Sequence, residues 1–261
     1  AFWFLATHGY FERENTPERS MEQWNRALEN LVMDNNFWSG RNVFITGHTG
    51  FKGGWAALWL TSMGAKVYGY SLEPPSEEGF FFVTNLKYRL AKSTVGDVRD
   101  FLKLEYALKE AKPSIVIHMA AQALVLESYA TPEATFSTNV MGTVNILEAA
   151  RKINSITTLI NVTSDKCYRN TEKDRSFVET DDLGGLDPYS CSKSCAELVT
   201  DAYRDSYFTD LGKRVATVRA GNVIGGGDIS KNRLIPDFLN ALEKKEALIV
   251  RSPDAVRPWQ H

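Results

Sequence analysis

The sequence predicts a doubly wound α/β fold: a parallel sheet with helices on both faces, followed by a smaller C-terminal domain. Three observations carry this. From residue 42, short β-branched apolar runs alternate with longer helix-like stretches. The strand runs are apolar throughout, which suits strands covered on both faces. A glycine cluster follows the first run directly.

The elements follow in order. Residues 16–32, "TPERSMEQWNRALENLV", place Thr16 as an N-cap, Pro17 at the first helical position, and Met21, Trp24, Leu28 and Leu31 on one face. They predict one amphipathic helix in an N-terminal extension spanning 1–36. "NVFITG", "KVYGYS", "SIVIHMA", "TLINVTS" and "VATVRAG" read as strands, with a further strand before "GDVRD"; 53–64, 101–111, 132–153 and 188–208 read as helices. Residues 37–220 form the expected main domain. After Gly221 a glycine-rich "GGGD" leads to a short helix "RLIPDFLNALEKK" and an expected strand "ALIVR". Residues 221–261 are thus expected to begin a second domain, truncated at "RPWQH".

Composition narrows the function. With 261 residues, 43% of them hydrophobic, the chain can bury a full core. A net charge of -2, with both signs interspersed, gives no electrostatic footprint for nucleic acid or an anionic membrane, so a small-molecule partner is expected. Cys167, Cys191 and Cys195 form no CxxC pair and the four histidines are scattered, so neither a disulfide framework nor a metal site is indicated. A reducing, cytoplasmic setting fits this usage. No apolar run approaches the roughly 18 residues of a membrane span.

"ITGHTGFKGGW" sets Gly47, Gly50 and Gly53 after a strand and at the mouth of a helix. Lacking side chains, these positions allow the tight turn and the close approach of backbone to a pyrophosphate, whose charge sits against free N–H groups at the helix start. The pattern is that of a Rossmann-like dinucleotide site, with Thr49, Phe51 and Lys52 completing the loop. The second strand ends in Ser71, where an acidic residue would hold the ribose, so NAD and NADP both remain open there. Asp97, next to Val98, is placed either to reach the adenine or to cap a helix.

"DPYSCSK" puts Tyr189 and Lys193 four residues apart, on one helical face. A phenol that must take a proton near neutrality needs a cation beside it, and Lys193 is expected to supply it. "VTSDKCY" looks like a buried strand running into Thr163, Ser164, Asp165 and Lys166, an acid beside a base where a parallel strand ends. Neighbours in a strand face opposite ways, so Asp165 and Lys166 can share a site only if the chain has already left the strand. Cys167 reads as packing.

The segments "VFITGHTGFKGGW", "IHMAAQALV", "TNVMGTVNILEA", "NVTSDKCY", "GGLDPYSCSKSCAELV", "VRAGNVIGGGD" and "RPWQH" resemble the extended short-chain dehydrogenase/reductases that modify nucleotide sugars. Within them the resemblance is to the 4,6-dehydratases, and it implies CDP-glucose as substrate and NAD as cofactor. It implies oxidation at C4 with Tyr189 as proton acceptor and Ser164 on the same hydroxyl. Asp165 would then act as general acid at the 6-hydroxyl and Lys166 as base or electrostatic stabiliser at C5. Burial away from water would favour the uncharged forms that these two roles require. The resemblance places Ala120, Ala121, Gln122 and Thr163 beside the nicotinamide or sugar, and Asn222, Arg233 and Arg257 on the substrate. It implies a homodimer through 132–153 and 188–208, and a chain that normally continues further. Leu126 departs from the pattern, standing near an expected Arg. A 4-epimerase or reductase, or an inactive dinucleotide-binding fragment, remains an alternative reading.

Overall fold

In the computed structural model, residues 6–7, 36–170, 175–250 and 253–261 are described. The expected helix over 16–32 lies outside them. The elements are β1 (Ala6–Thr7), β2 (Asn42–Thr46), α1 (Phe51–Ser62), β3 (Lys66–Ser71), α2 (Phe80–Val83), β4 (Lys92–Val95), α3 (Phe101–Ala111) and β5 (Ile115–His118). They continue with α4 (Val125–Ala130), α5 (Pro132–Phe136), α6 (Gly142–Lys152), β6 (Thr158–Val162), α7 (Pro188–Tyr203), β7 (Arg214–Val218), β8 (Asn222–Val223), α8 (Leu234–Lys244) and β9 (Trp259–Gln260).

Seven strands form one sheet in the order β1-β7-β6-β5-β2-β3-β4. Six pair in parallel, and β1 adds antiparallel to the β7 edge. The strand order reverses between β2 and β5, so their carboxyl ends open the crevice where such sheets bind ligands. Alternation along β2 assigns the two layers. Phe44 faces the cluster with Val116, Leu104, Leu108, Ile146, Leu147 and Leu159, whereas Val43 and Ile45 face Ala57, Leu60, Val67 and Leu86. The expected strands and helices of 37–220 are thus all present, each within a few residues.

The expected helix over 132–153 is interrupted by a π-helical turn at Ser137–Met141, and that over 188–208 ends in another at Arg204–Phe208. The anticipated strand at 247–251 is a correction. Residues 247–250 pair with no strand, and Ile249 is 85% exposed: an aliphatic run without a ladder partner does not become a strand. Instead, β8 and β9 pair in parallel as a separate two-stranded sheet. No helix among the described residues is long and apolar enough to cross a membrane.

Candidate active site

The cofactor end is built by close backbone approach. Gly47 holds φ +80, and a Cβ there would meet the Ala120 nitrogen at 2.8 Å; at Gly53 a Cβ would meet the Gly47 oxygen at 2.1 Å. The Thr46 hydroxyl accepts from Met119 N (3.0 Å) and Ala120 N (3.1 Å) and pairs with His118 Nδ1 at 2.8 Å, tying the ends of β2 and β5 together. Burial, followed by the nearby Lys193 charge, pulls His118 down to about 3, consistent with a neutral ring accepting the threonine proton. The glycine loop therefore fits a dinucleotide: its backbone is packed as tightly as glycine allows, at the start of α1.

Other expected cofactor residues are occupied internally. Thr49 and Ser71 share a hydrogen bond of 2.7 Å, and Thr49 also donates to the Leu72 carbonyl. Asp97 accepts from the Arg99 guanidinium and backbone N–H. The cap of α3 is Asp100, which accepts from Lys103 N, so the capping alternative for Asp97 is corrected. Val98 packs against Gly142 in the core, and its carbonyl accepts from Asn145.

At the other end, α7 starts where Asp187 accepts from Ser190 N (2.9 Å) and Pro188 occupies the first turn. This orients Tyr189 and Lys193 on the buried face, 8% and 6% exposed. Strand β6 ends at Val162, Ser164 caps a 3-10 turn over Asp165–Cys167, and Asp165 and Lys166 emerge together, 3.6 Å apart. The condition on that pair is met: the chain has left the strand. The Ser164 hydroxyl donates to Asp165 Oδ1 at 3.1 Å and accepts from Lys166 N at 3.2 Å, and the Tyr189 phenol shares its cleft.

A cleft of about 420 Å³ unites Lys52, Ser164, Asp165, Lys166, Tyr189, Asn222, Arg233 and Arg257, with Leu126 also in its wall. Phe51 reaches it indirectly, its ring against Gly225. Arg233 pairs with Asp228 at 3.3 Å. Burial, then the charge of Arg233, draws the Lys52 ammonium down to about 8, and burial, then Lys52, does the same to Lys193.

Several expectations need correcting. Burial pushes the Tyr189 phenol up, opposed by the nearby Ser164 hydroxyl. Lys193, expected to lower it, donates instead to the Val162 carbonyl at 3.3 Å. The deep burial required of the acid–base pair is absent: the Asp165 and Lys166 side chains are 26% and 30% exposed. Thr163 is turned away from the cleft, its hydroxyl donating to Glu197. Gln122 spends its amide on Leu124 and Thr135, shaping the loop beside Ala121 and Ala123. Burial pushes the Cys167 thiol to about 12, in keeping with a packing role.

Sequence reasoning missed Asn139 and the Glu197–Arg219 pair. Asn139 accepts from Gln122 N and donates to Gln122 O and to Ser192 Oγ, clamping the β5 loop to α7. A lone Asn in the apolar stretch "TNVMGTV" was its signal. For the pair, the signals were a Glu on the buried side of α7 and an Arg at the end of an apolar strand.

A glycine-loop nucleotide site whose substrate end carries Tyr, Lys, Ser and an acid–base couple is the layout of a sugar-nucleotide-modifying short-chain dehydrogenase/reductase, and the chain belongs to the GDP-mannose 4,6-dehydratase family, whose model matches residues 44–261. Among individual relatives, it is 52% identical over 235 residues to CDP-glucose 4,6-dehydratase of Salmonella typhimurium, a match covering 88% of this chain and 65% of that protein. The chain thus spans less than two thirds of that relative's length. A solved dTDP-glucose 4,6-dehydratase from Streptomyces venezuelae, with NAD bound, superimposes with a TM-score of 0.72 at 25% identity, over 83% of this chain and 67% of that one. An epimerase of Methanothermobacter thermautotrophicus shares the fold at a TM-score of 0.74 and 23% identity, over 86% of this chain and 65% of its own.

Proposed function

We propose that this chain carries the catalytic part of an NAD-dependent CDP-glucose 4,6-dehydratase, a hydro-lyase forming CDP-4-keto-6-deoxyglucose and water. The observation that carries the proposal is the emergence of Asp165 and Lys166 in one turn, beside Ser164 and Tyr189, in a single cleft. The 52% identity to the Salmonella dehydratase supports the choice of nucleotide.

Bound NAD would supply reversible hydride acceptance, from C4 of the sugar and back to C6 once water has left. Tyr189 takes the proton of the 4-hydroxyl, with Ser164 on the same oxygen. The C4 ketone makes the C5 proton acidic; Lys166 removes it, Asp165 protonates the departing 6-hydroxyl, and Lys166 gives a proton back to C5 as hydride returns to C6. Glycine-loop backbone, Lys52 and Lys193 hold the dinucleotide; Asn222, Arg233 and Arg257 hold the substrate diphosphate, for which the forked donors of arginine are suited. NAD is favoured over NADP because the solved dehydratase that shares this fold carries NAD.

In this reading residues 37–220 are the cofactor-binding domain, 221–261 begin the nucleotide-sugar domain, and the working form is a cytoplasmic homodimer through 132–153 and 188–208. A 4-epimerase has no use for an acid–base couple at C5 and C6. The test is incubation of the purified chain with CDP-glucose and NAD, beside a UDP-glucose control, reading the alkali-induced absorbance of a 4-keto-6-deoxy sugar. A CDP-dependent signal is expected; a 4-epimerised hexose instead would overturn the proposal.

A further inference from the structure

Glu197 is the most buried charged group near the cleft, 1% exposed, and lies outside the reaction just described. Spacing puts it on the face of α7 that carries Tyr189 and Lys193, at eight and four residues from them. Its carboxylate receives four donors. Oε1 accepts from the Thr163 hydroxyl and from Arg219 Nε (3.0 Å); Oε2 accepts from the Thr217 hydroxyl (2.7 Å) and from Arg219 Nη2 (3.0 Å). Two of the donors precede functional backbone directly. Thr163 leads into Ser164 and Asp165, and Arg219 leads into Ala220, whose carbonyl receives Asp165 N at 3.0 Å. Arg219 also lies 4.7 Å over the Tyr168 ring and donates to the Glu179 carbonyl, so it holds the far side of the same turn.

We infer that Glu197, with Arg219, is a positioning residue that sets the acid–base turn Ser164–Asp165–Lys166 in register with the Tyr189–Lys193 face of α7. This rests on the proposed dehydration. Helix α7 brings the oxidising pair and strand β6 brings the eliminating pair, and the four-donor carboxylate is where the two are fastened. A buried ion pair is a poor source of net stability; its worth here lies in geometry. Ser194 donating to the Cys167 carbonyl and Lys193 to Val162 O remain when Glu197 is changed, so α7 stays docked while the turn loses its anchor.

The two half-reactions are therefore expected to separate. In Glu197→Gln, C4 oxidation, read as reduced-cofactor absorbance on adding CDP-glucose, loses only the support of Ser164 beside Tyr189 and falls by less than about tenfold. Elimination, read as C5–H exchange with solvent and as keto-sugar formation, falls by about 10²-fold, the scale of a misplacement of about 1 Å. Because a buried Arg219 left without its partner can unfold the protein, the paired variant Glu197→Leu with Arg219→Met removes both charges and the anchor together. It is expected to fold and to show the same split.

A second readout needs neither cofactor nor substrate: amide exchange at Thr163 and Asp165, bonded to Val218 O and Ala220 O, rises about tenfold in both variants while the α7 amides remain protected. Equal loss of both half-reactions in the folded double variant, or unchanged exchange at 163 and 165, would overturn the inference. If the unmodified protein makes no keto-sugar, the proposed function falls by itself and the exchange measurement still decides the anchor.

Discussion

Lys193 places its ammonium 3.3 Å from the carbonyl of Val162, the last residue of β6, and makes no hydrogen bond to Tyr189. The lysine of the Tyr/Lys pair thus ties α7 to the end of β6. Its effect on the phenol has to operate through placement in the loaded cleft, where a cofactor ribose can take up the ammonium's remaining donors. Lys193→Met should lower C4 oxidation by roughly 10²–10⁴-fold. The measurement is the reduced-cofactor absorbance in a single turnover, and a normal rate would remove Lys193 from the oxidation step.

Asp165→Asn keeps the size of the side chain and its link to Ser164 but cannot deliver a proton to the 6-hydroxyl. Elimination should fall by roughly 10²–10⁴-fold while C4 oxidation persists, leaving the 4-keto-glucose nucleotide to accumulate. Mass spectrometry of quenched reactions distinguishes this from a product still losing water at the normal rate, which would take Asp165 out of the mechanism.

The glycine loop makes a contrasting pair of variants available. Gly53→Ala sets a Cβ 2.1 Å from the Gly47 oxygen, whereas Gly226→Ala meets nothing within 4 Å and needs no positive φ. Calorimetric titration with NAD should show binding lost in the first and retained in the second. Binding by Gly53→Ala with unchanged affinity would mean that the loop is not held as closely as its contacts imply.

Lys52 gives stability a pH dependence of known sign. Its folded value is about 8 against an ordinary 10.5, because burial, then the Arg233 charge, disfavours its ammonium. Between those limits the unfolded chain holds the proton that the folded one has released, so folding becomes more favourable as pH rises. Relative to Lys52→Met, the ligand-free protein should gain thermal stability from about pH 8 towards 10. Losing Lys52 also relieves Lys193, which flattens the variant's profile further. Melting curves that stay parallel over that range would contradict the assignment.

What the sequence made legible was local. The βαβ alternation, the glycine turn and the four-residue spacing of Tyr189 and Lys193 each reside in a few adjacent residues, and each is in place. Where the reading went astray, the deciding partner lay far along the chain. The Thr163 hydroxyl is bonded to Glu197, 34 positions away. The amide of Gln122 was claimed by Thr135. Residues 247–250 have the composition of a strand, but composition cannot supply a neighbour to pair with. The helix over 132–153 read as uninterrupted because its π-helical turn, Ser137–Met141, contains neither Gly nor Pro to mark a break.

The parallel pairing of Asn222–Val223 with Trp259–Gln260 is short, secured by Asn222 N to Pro258 O (3.1 Å) and Ile224 N to Gln260 O (2.8 Å). Across the cleft, Trp55 Nε1 adds one more bond, to Gly226 O at 2.9 Å. One wall of the ligand chamber therefore hangs on a few bonds while the opposite wall belongs to a seven-stranded sheet. The two sides of the cleft are therefore held unequally: the β8–β9 side can loosen at its few bonds, up to Ala220, whose carbonyl receives Asp165 N, while β6 and β7 stay paired behind it. Amides at Asn222 and Ile224 exchanging well ahead of those at Val215 and Thr217 would be the signature of that division.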